Sequence, residues 1–279
     1  MISLCTVTLD GLEVFVDILL ESIANRTTNI SEILIAKVDE NDINWHEETK
    51  LRNDIVVKKF AAPVEVITYG HALGLHACIE RASQEYVMLC EPDLFFYSDV
   101  SGFYLDLFRK HDLNIIGINH HNATGECNTF FPYPMNLMVK RNTLPNEDWM
   151  RGHLKYGRGL HKLTVEQSEI EKSALRDAAG KYLVQGPIPE FQDLFPNKSP
   201  DCWFDIGCNL FLWNEERKGK WISFQTLDTH IYTTKFHRNN FKLKEKFPEQ
   251  KLVYHQTNCV HGKNISYEII LAAYEESKK

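Results

Sequence analysis

The sequence has no excess of positive charge: 31 Lys and Arg stand against 38 Asp and Glu, a net charge of −7. That excludes a general nucleic-acid binder, which needs a basic face. A nucleotide ligand stays open, because a bound divalent cation neutralises phosphates locally. No stretch approaches the roughly 18 uncharged apolar residues of a membrane span. Met1-Ile2-Ser3-Leu4-Cys5 enters a strand-like run at once, without the basic and long apolar regions of a signal peptide. A cytoplasmic protein without a membrane span is expected. Glycine (14) and proline (10) are few, and there is no low-complexity tract or fixed-period repeat, which excludes a solenoid or a disordered chain. Cysteines number 7, an odd count with no CxxC pair, so no disulfide framework is expected and most read as buried thiols. His120-His121, even with Cys127 nearby, lacks the spacing of a zinc site.

What is present is an ordinary globular composition, 43% apolar and 25% charged over 279 residues, enough for one α/β domain with extensions. Ile2 to Leu9 reads as a strand, and Leu12, Phe15, Val16, Leu19, Leu20 and Ile23 form a helical stripe. Strands follow at Glu32 to Val38 and Ile55 to Phe60, then a helix from Gly70 to Ser83. The apolar run from Glu85 to Cys90 suits a central strand covered on both faces. A helix from Phe103 to Lys110 and a strand from Asn114 to Ile118 complete the alternation, which predicts a mostly parallel sheet flanked by helices. Ligands of such sheets lie beyond the carboxyl ends of the strands, where Asp10, Asp39, Glu91 and Asp93 all fall.

After about residue 119 the alternation stops. A short strand is expected at Met135 to Val139, helices at Thr164 to Gly180, Trp203 to Arg217 and Tyr267 to Glu276, and a histidine-containing tail between the last two. The expected organisation is a single domain over 1–279, with a nucleotide-binding half (1–118) and an acceptor-side catalytic half (119–279).

Glu91-Pro92-Asp93 carries the chemistry. Two carboxylates two residues apart on an extended chain point the same way. Hard divalent cations take oxygen ligands and are often shared with substrate phosphates. Pro92 lacks an amide donor and ends the strand ladder, leaving the carboxylates just outside the sheet. Strand-end turns also favour Pro and Asp for conformational reasons, so the tripeptide alone decides little.

Its context decides more. Ile79-Glu80-Arg81-Ala82-Ser83-Gln84-Glu85-Tyr86-Val87-Met88-Leu89-Cys90-Glu91-Pro92-Asp93 resembles the helix, turn, apolar strand and Asp-x-Asp of the inverting family 2 glycosyltransferases with the GT-A fold. Glu91 stands in place of the first aspartate, His76 in place of a usual asparagine and Cys78 in place of a frequent glycine. The resemblance covers about residues 2–118. It implies that Asp93, helped by Glu91, holds manganese or magnesium on the diphosphate of a nucleotide-sugar donor, with UDP favoured. It further implies that Thr8 and Asp10 on the opening strand, Asp39 on the second, and His71 and His76 on the helix face the donor. In the second half, Asp205, or else Asp201, corresponds to the general base that takes the acceptor proton. His255 resembles a C-terminal histidine brought back over the metal or diphosphate; His261, His230 and His237 are its rivals.

These features predict a metal-dependent transfer of a sugar from a nucleotide diphosphate to a hydroxyl of a glycan or other acceptor, with inversion. A sugar nucleotidyltransferase is a rival, but Asp10-Gly11-Leu12 is too brief for its Gly-rich, basic loop. A non-catalytic glycan- or partner-binding relative is a second, kept open by the Glu-for-Asp change.

Overall fold

The computed structural model describes residues 1–9, 11–38, 44–62, 67–119, 133–144, 210, 214, 217–227, 230–232, 238–243, 247, 250–256 and 263–279. In chain order these form β1 (Ile2–Thr8), α1 (Glu13–Arg26), β2 (Ile30–Lys37), β3 (His46–Arg52), β4 (Ile55–Ala61), α2 (Ile67–Arg81), β5 (Tyr86–Cys90) and β6 (Leu94–Phe96). Then come α3 (Val100–His111), β7 (Ile115–Asn119), β8 (Tyr133–Lys140), β9 (Trp221–Leu227), β10 (His230–Tyr232), β11 (Arg238–Asn239), β12 (Lys251–His255) and a final helix, α4 (Lys263–Glu276).

The strands form one mixed sheet in the order β3-β4-β2-β1-β5-β8-β7-β9-β10-β12-β6, with β11 on β9. From β4 to β9 every strand runs the same way except β8, which is antiparallel to both β5 and β7. The centre is therefore mostly parallel, as the strand-helix alternation predicts. β1 and β5 are buried along their whole length, as strands covered on both faces must be. One face packs Leu4, Ile33, Ile35 and Val57 against Val16, Leu19 and Ile23 of α1. The other packs Cys5, Val7, Leu34 and Ala36 against Leu75, Cys78 and Ile79 of α2. At Gly74 a Cβ would lie 2.7 Å from Val7, so α2 approaches β1 closer than any larger residue permits.

The expected histidine-containing tail is corrected by β9 to β12, which return to the sheet. Their short lengths, two to seven residues, give too little periodicity to read. β3 was also not foreseen: its sequence His46-Glu47-Glu48-Thr49-Lys50 is wholly exposed, and charge on an edge strand blocks pairing with another chain. Within the expected Trp203 to Arg217 helix only residues 210, 214 and 217 are described, the first two being helical.

α3 begins on Asp99, whose carboxylate accepts from Gly102 N (3.0 Å) and Ser101 Oγ (2.6 Å), and from the hydroxyl of Thr28. Burial raises the Asp99 pKa, but these donors outweigh it and hold the carboxyl below its usual range. Asp99→Ala removes both the cap and the tie to the α1–β2 turn. It is expected to cost about 1–2 kcal/mol in urea unfolding. An unchanged midpoint would show the cap to be dispensable.

Candidate metal centre

Strand β5 ends at Cys90, and Glu91-Pro92-Asp93 turns the chain into β6. β6 pairs antiparallel with β12 in a register that sets His255 against Leu94, Tyr254 against Phe95 and Val253 against Phe96. The pairing continues one step further, with Gln256 N donating to Asp93 O at 2.9 Å. The last strand thus carries His255 onto the two carboxylates. Its Nε2 lies 2.8 Å from Glu91 Oε2 and 3.4 Å from Asp93 Oδ1, with little of any of the three side chains exposed.

Candidate ligand atoms of Glu91, Asp93 and His255 all fall within 4.8 Å of one another. Asp93 Oδ1 and His255 Nε2 are nevertheless buried without a hydrogen bond of normal geometry. Buried polar atoms this close need a partner, which a shared cation would supply and which, without one, a charged His255 supplies as an ion pair. Two carboxylate oxygens and an imidazole nitrogen suit manganese, or magnesium with more water in its shell. The residues fit a divalent cation. Burial lowers the His255 pKa, but the Asp93 and Glu91 carboxylates outweigh it and raise it to about 10, so the metal-free protein holds an imidazolium at neutral pH.

Several elements fix this corner. Phe95 stacks on Tyr254 at 4.9 Å and meets Tyr274 edge-on at 5.1 Å, sealing β6 and β12 beneath α4. Arg26, at the end of α1, donates to Phe96 O (2.7 Å) and to Ser277 O (3.1 Å) and lies over the Tyr274 ring. Behind Glu91, buried Asn136 of β8 accepts from Tyr104 Oη (2.7 Å) and donates to Cys90 Sγ (3.4 Å). Burial pushes the Cys90 thiol up to about 12, so it stays neutral behind the carboxylates. Neither Asn136 nor Tyr104 was singled out from sequence; the available signal was one amide inside the apolar run Met135-Asn136-Leu137-Met138-Val139.

The other expected site residues are placed as follows. Thr8 ends β1, buried, its hydroxyl donating to Leu9 O at 3.4 Å. His76 lies on α2 with Nε2 3.5 Å from Glu80. Neither belongs to the metal cluster. His71 is a helical residue of α2 whose side chain is outside the description, as is that of His230 on β10. Asp10, Asp39, Asp201, Asp205, His237 and His261 lie outside the described residues.

No family model and no curated protein matches the sequence. Among solved structures, the chain is similar to residues 1–349 of S. aureus TarS in complex with UDP-GlcNAc, at 14% identity and a TM-score of 0.40, covering 62% of this chain and 53% of that one. It is similar to the mannosyltransferase PcManGT from Pyrobaculum calidifontis in complex with GDP-Man and Mn2+, at 12% identity and a TM-score of 0.39, covering 51% of this chain and 45% of that one. A putative glucose-1-phosphate thymidylyltransferase from Bacillus anthracis gives 9% identity and a TM-score of 0.34, covering 51% and 73%. The chain spans about half the length of the first two. At these scores the likeness extends to neither ligand nor reaction.

Proposed function

We propose that the protein is a metal-dependent glycosyltransferase of the GT-A type. It would move a sugar from a nucleotide diphosphate donor, with UDP favoured, to a hydroxyl of a glycan or other acceptor in the cytoplasm. The observation that carries this reading is the convergence of Glu91, Asp93 and His255 just beyond the carboxyl end of the central strand β5. These three side chains would hold manganese or magnesium. A cation bound there supplies electrostatic stabilisation to the departing diphosphate.

The chain's own residues do the rest. Asp93 and Glu91 orient the donor's phosphates by fixing the position of positive charge between them. In this reading Asp10 and Asp39 accept hydrogen bonds from the base and ribose, and Thr8, His71 and His76 serve the donor as well. Asp205, or Asp201 in its place, takes the proton from the acceptor hydroxyl as that oxygen attacks the anomeric carbon, and configuration inverts.

A thermal-shift screen of UDP-, GDP- and dTDP-sugars, each with and without manganese, tests the reading. The true donor at a hundredfold excess over its dissociation constant is expected to stabilise the protein by about 2.7 kcal/mol, and only with the metal. If no nucleotide sugar shifts the melting temperature with manganese and none is hydrolysed, the transferase reading fails.

A further inference from the structure

The geometry points to a second binding site, for one ring of a neutral saccharide, in a charged notch between α1 and the β2-β4-β3 edge of the sheet. On the face that α1 covers, β2 and β4 supply core residues as far as Ile35 and Val57. Beyond them the same face turns charged. Strand register sets Ile35 beside Lys59 and Lys59 beside Glu47, forming one row across three strands. Thr8 and Lys37 are neighbours in the next row. Above them α1 presents Glu13, Val16 and Asp17, positions that share one helical face. Trp45 also lines the notch, its carbonyl accepting from Ala61 N at 3.1 Å. Open to solvent on one side, the notch has a volume of about 220 Å³.

The chemistry of the walls selects the occupant. Lys37 stands 3.6 Å from Glu13 and Lys59 stands 3.8 Å from Glu47. Both are ion pairs longer than the usual N–H···O distance of about 2.7–3.2 Å, so a hydroxyl set beside each pair can accept from the ammonium and donate to the carboxylate. An anion would face the carboxylates of Glu13, Asp17 and Glu47, and a metal cation would face both ammonium groups. A neutral polyol meets neither repulsion. Trp45 adds an aromatic face for the apolar side of a pyranose ring. The volume is below the roughly 300–1,000 Å³ of pockets for drug-sized ligands, which suits a single ring and not a complete nucleotide sugar. Glu91, Asp93 and His255 do not line the notch. Thr8, which the transferase reading sets beside the donor, borders the notch. The notch thus adjoins the donor side while lying outside the three-residue metal centre, and it gives the protein a further hold on a glycan.

Saturation-transfer NMR on the full chain, with the methyl glycosides of glucose, galactose, mannose and N-acetylglucosamine as probes, tests this. At least one glycoside is expected to bind, equally well in EDTA and in Asp93→Ala. Trp45→Ala is expected to weaken it about tenfold or more, whereas Trp45→Tyr retains it. Lys59→Met provides a second variant with the same expected loss. The proposal is overturned if no glycoside binds or if neither Trp45→Ala nor Lys59→Met weakens binding. Binding that disappears with Asp93→Ala or EDTA overturns it too, by placing the sugar at the metal centre. Uridine binding that depends on Trp45 and displaces the glycosides would assign the notch to a nucleobase instead. Because the saccharide assay needs neither metal nor donor, its failure is distinct from failure of the transferase reading.

Discussion

Asp93→Ala is expected to lower manganese affinity by more than about a hundredfold and to abolish metal-dependent turnover, while Glu91→Ala only weakens both. Loss of an outer partner of a metal ligand costs about 10–100-fold, so loss of a direct ligand should exceed that range. The two carboxylates differ in how they are held. Asp93 is fixed by its backbone, with its carbonyl accepting from Gln256 and its chain running directly into β6. Its Oδ1 is buried without a hydrogen bond. Such an oxygen is preorganised for a cation, with little scope to turn elsewhere. Glu91 has a longer side chain and precedes the turn, so a neighbouring water can replace it as ligand more readily. The metal-free protein should respond differently. Two carboxylates around one imidazolium leave a net negative charge in a poorly solvated corner, and removing Asp93 leaves Glu91 and His255 balanced. The melting temperature in EDTA is therefore expected to be unchanged or raised, and only stabilisation by added manganese should be lost. Isothermal titration with manganese, paired with melting curves in EDTA, reads both effects. Equal and near-normal affinity in the two variants would remove the metal assignment.

The carboxylate pair was legible because its signal is local. Acidic residues two apart at the end of the run Tyr86-Val87-Met88-Leu89-Cys90 define both the strand and the side its exit faces. Strands β1, β2, β4 and β5 were legible for the same reason, each being a short, largely apolar segment. His255 was a different case. It is one of 12 histidines, and resemblance alone singled it out. What brings it to the site is the antiparallel register of β12 on the three-residue β6, a pairing across more than 150 positions that no short window contains. Asn136 and Arg26 stayed hidden on the same ground, since their partners Tyr104, Cys90, Phe96 and Ser277 are all distant in sequence. Spacing finds a site's centre when one element builds it, whereas the supports around that centre depend on tertiary pairing.

Glu32 shows the same limit at the opposite end of the sheet, and it leads to the largest expected change in stability. It sits near the start of β2, only 3% exposed, in a strand that otherwise reads as core. Its Oε2 accepts from Ser3 Oγ (2.6 Å), Ser83 N (2.9 Å) and Ser83 Oγ (3.1 Å), and its Oε1 accepts from Lys58 Nζ (2.8 Å). Ser3 in turn accepts from Gln84 N at 3.1 Å, so the carboxylate ties β1, β2 and β4 to the turn between α2 and β5. Glu32→Ala leaves these donors without an acceptor in a buried place. Breaking a buried pair costs about 3–5 kcal/mol, and because Lys58 is 41% exposed and can turn to water, a loss of about 3 kcal/mol is expected. Manganese affinity of the folded variant should not change, since Glu32 holds the turn before β5 whereas the metal cluster lies beyond its other end. Glu32→Gln keeps one acceptor oxygen and should cost less. Burial alone would raise the Glu32 pKa, but the Lys58 and Ser3 hydrogen bonds outweigh it and hold the carboxyl below its ordinary value. A depressed native pKa means that the network's stabilisation is fully present above the unfolded carboxyl pKa of about 4.3 and disappears as pH falls through the native one. The glutamine variant has no such titration. Its deficit relative to the wild type in urea midpoints is therefore expected to be constant near neutrality and to shrink below about pH 4.3. A deficit that stays constant into the acid range would mean that the charge of Glu32 contributes nothing and that its hydrogen bonds alone hold the turn.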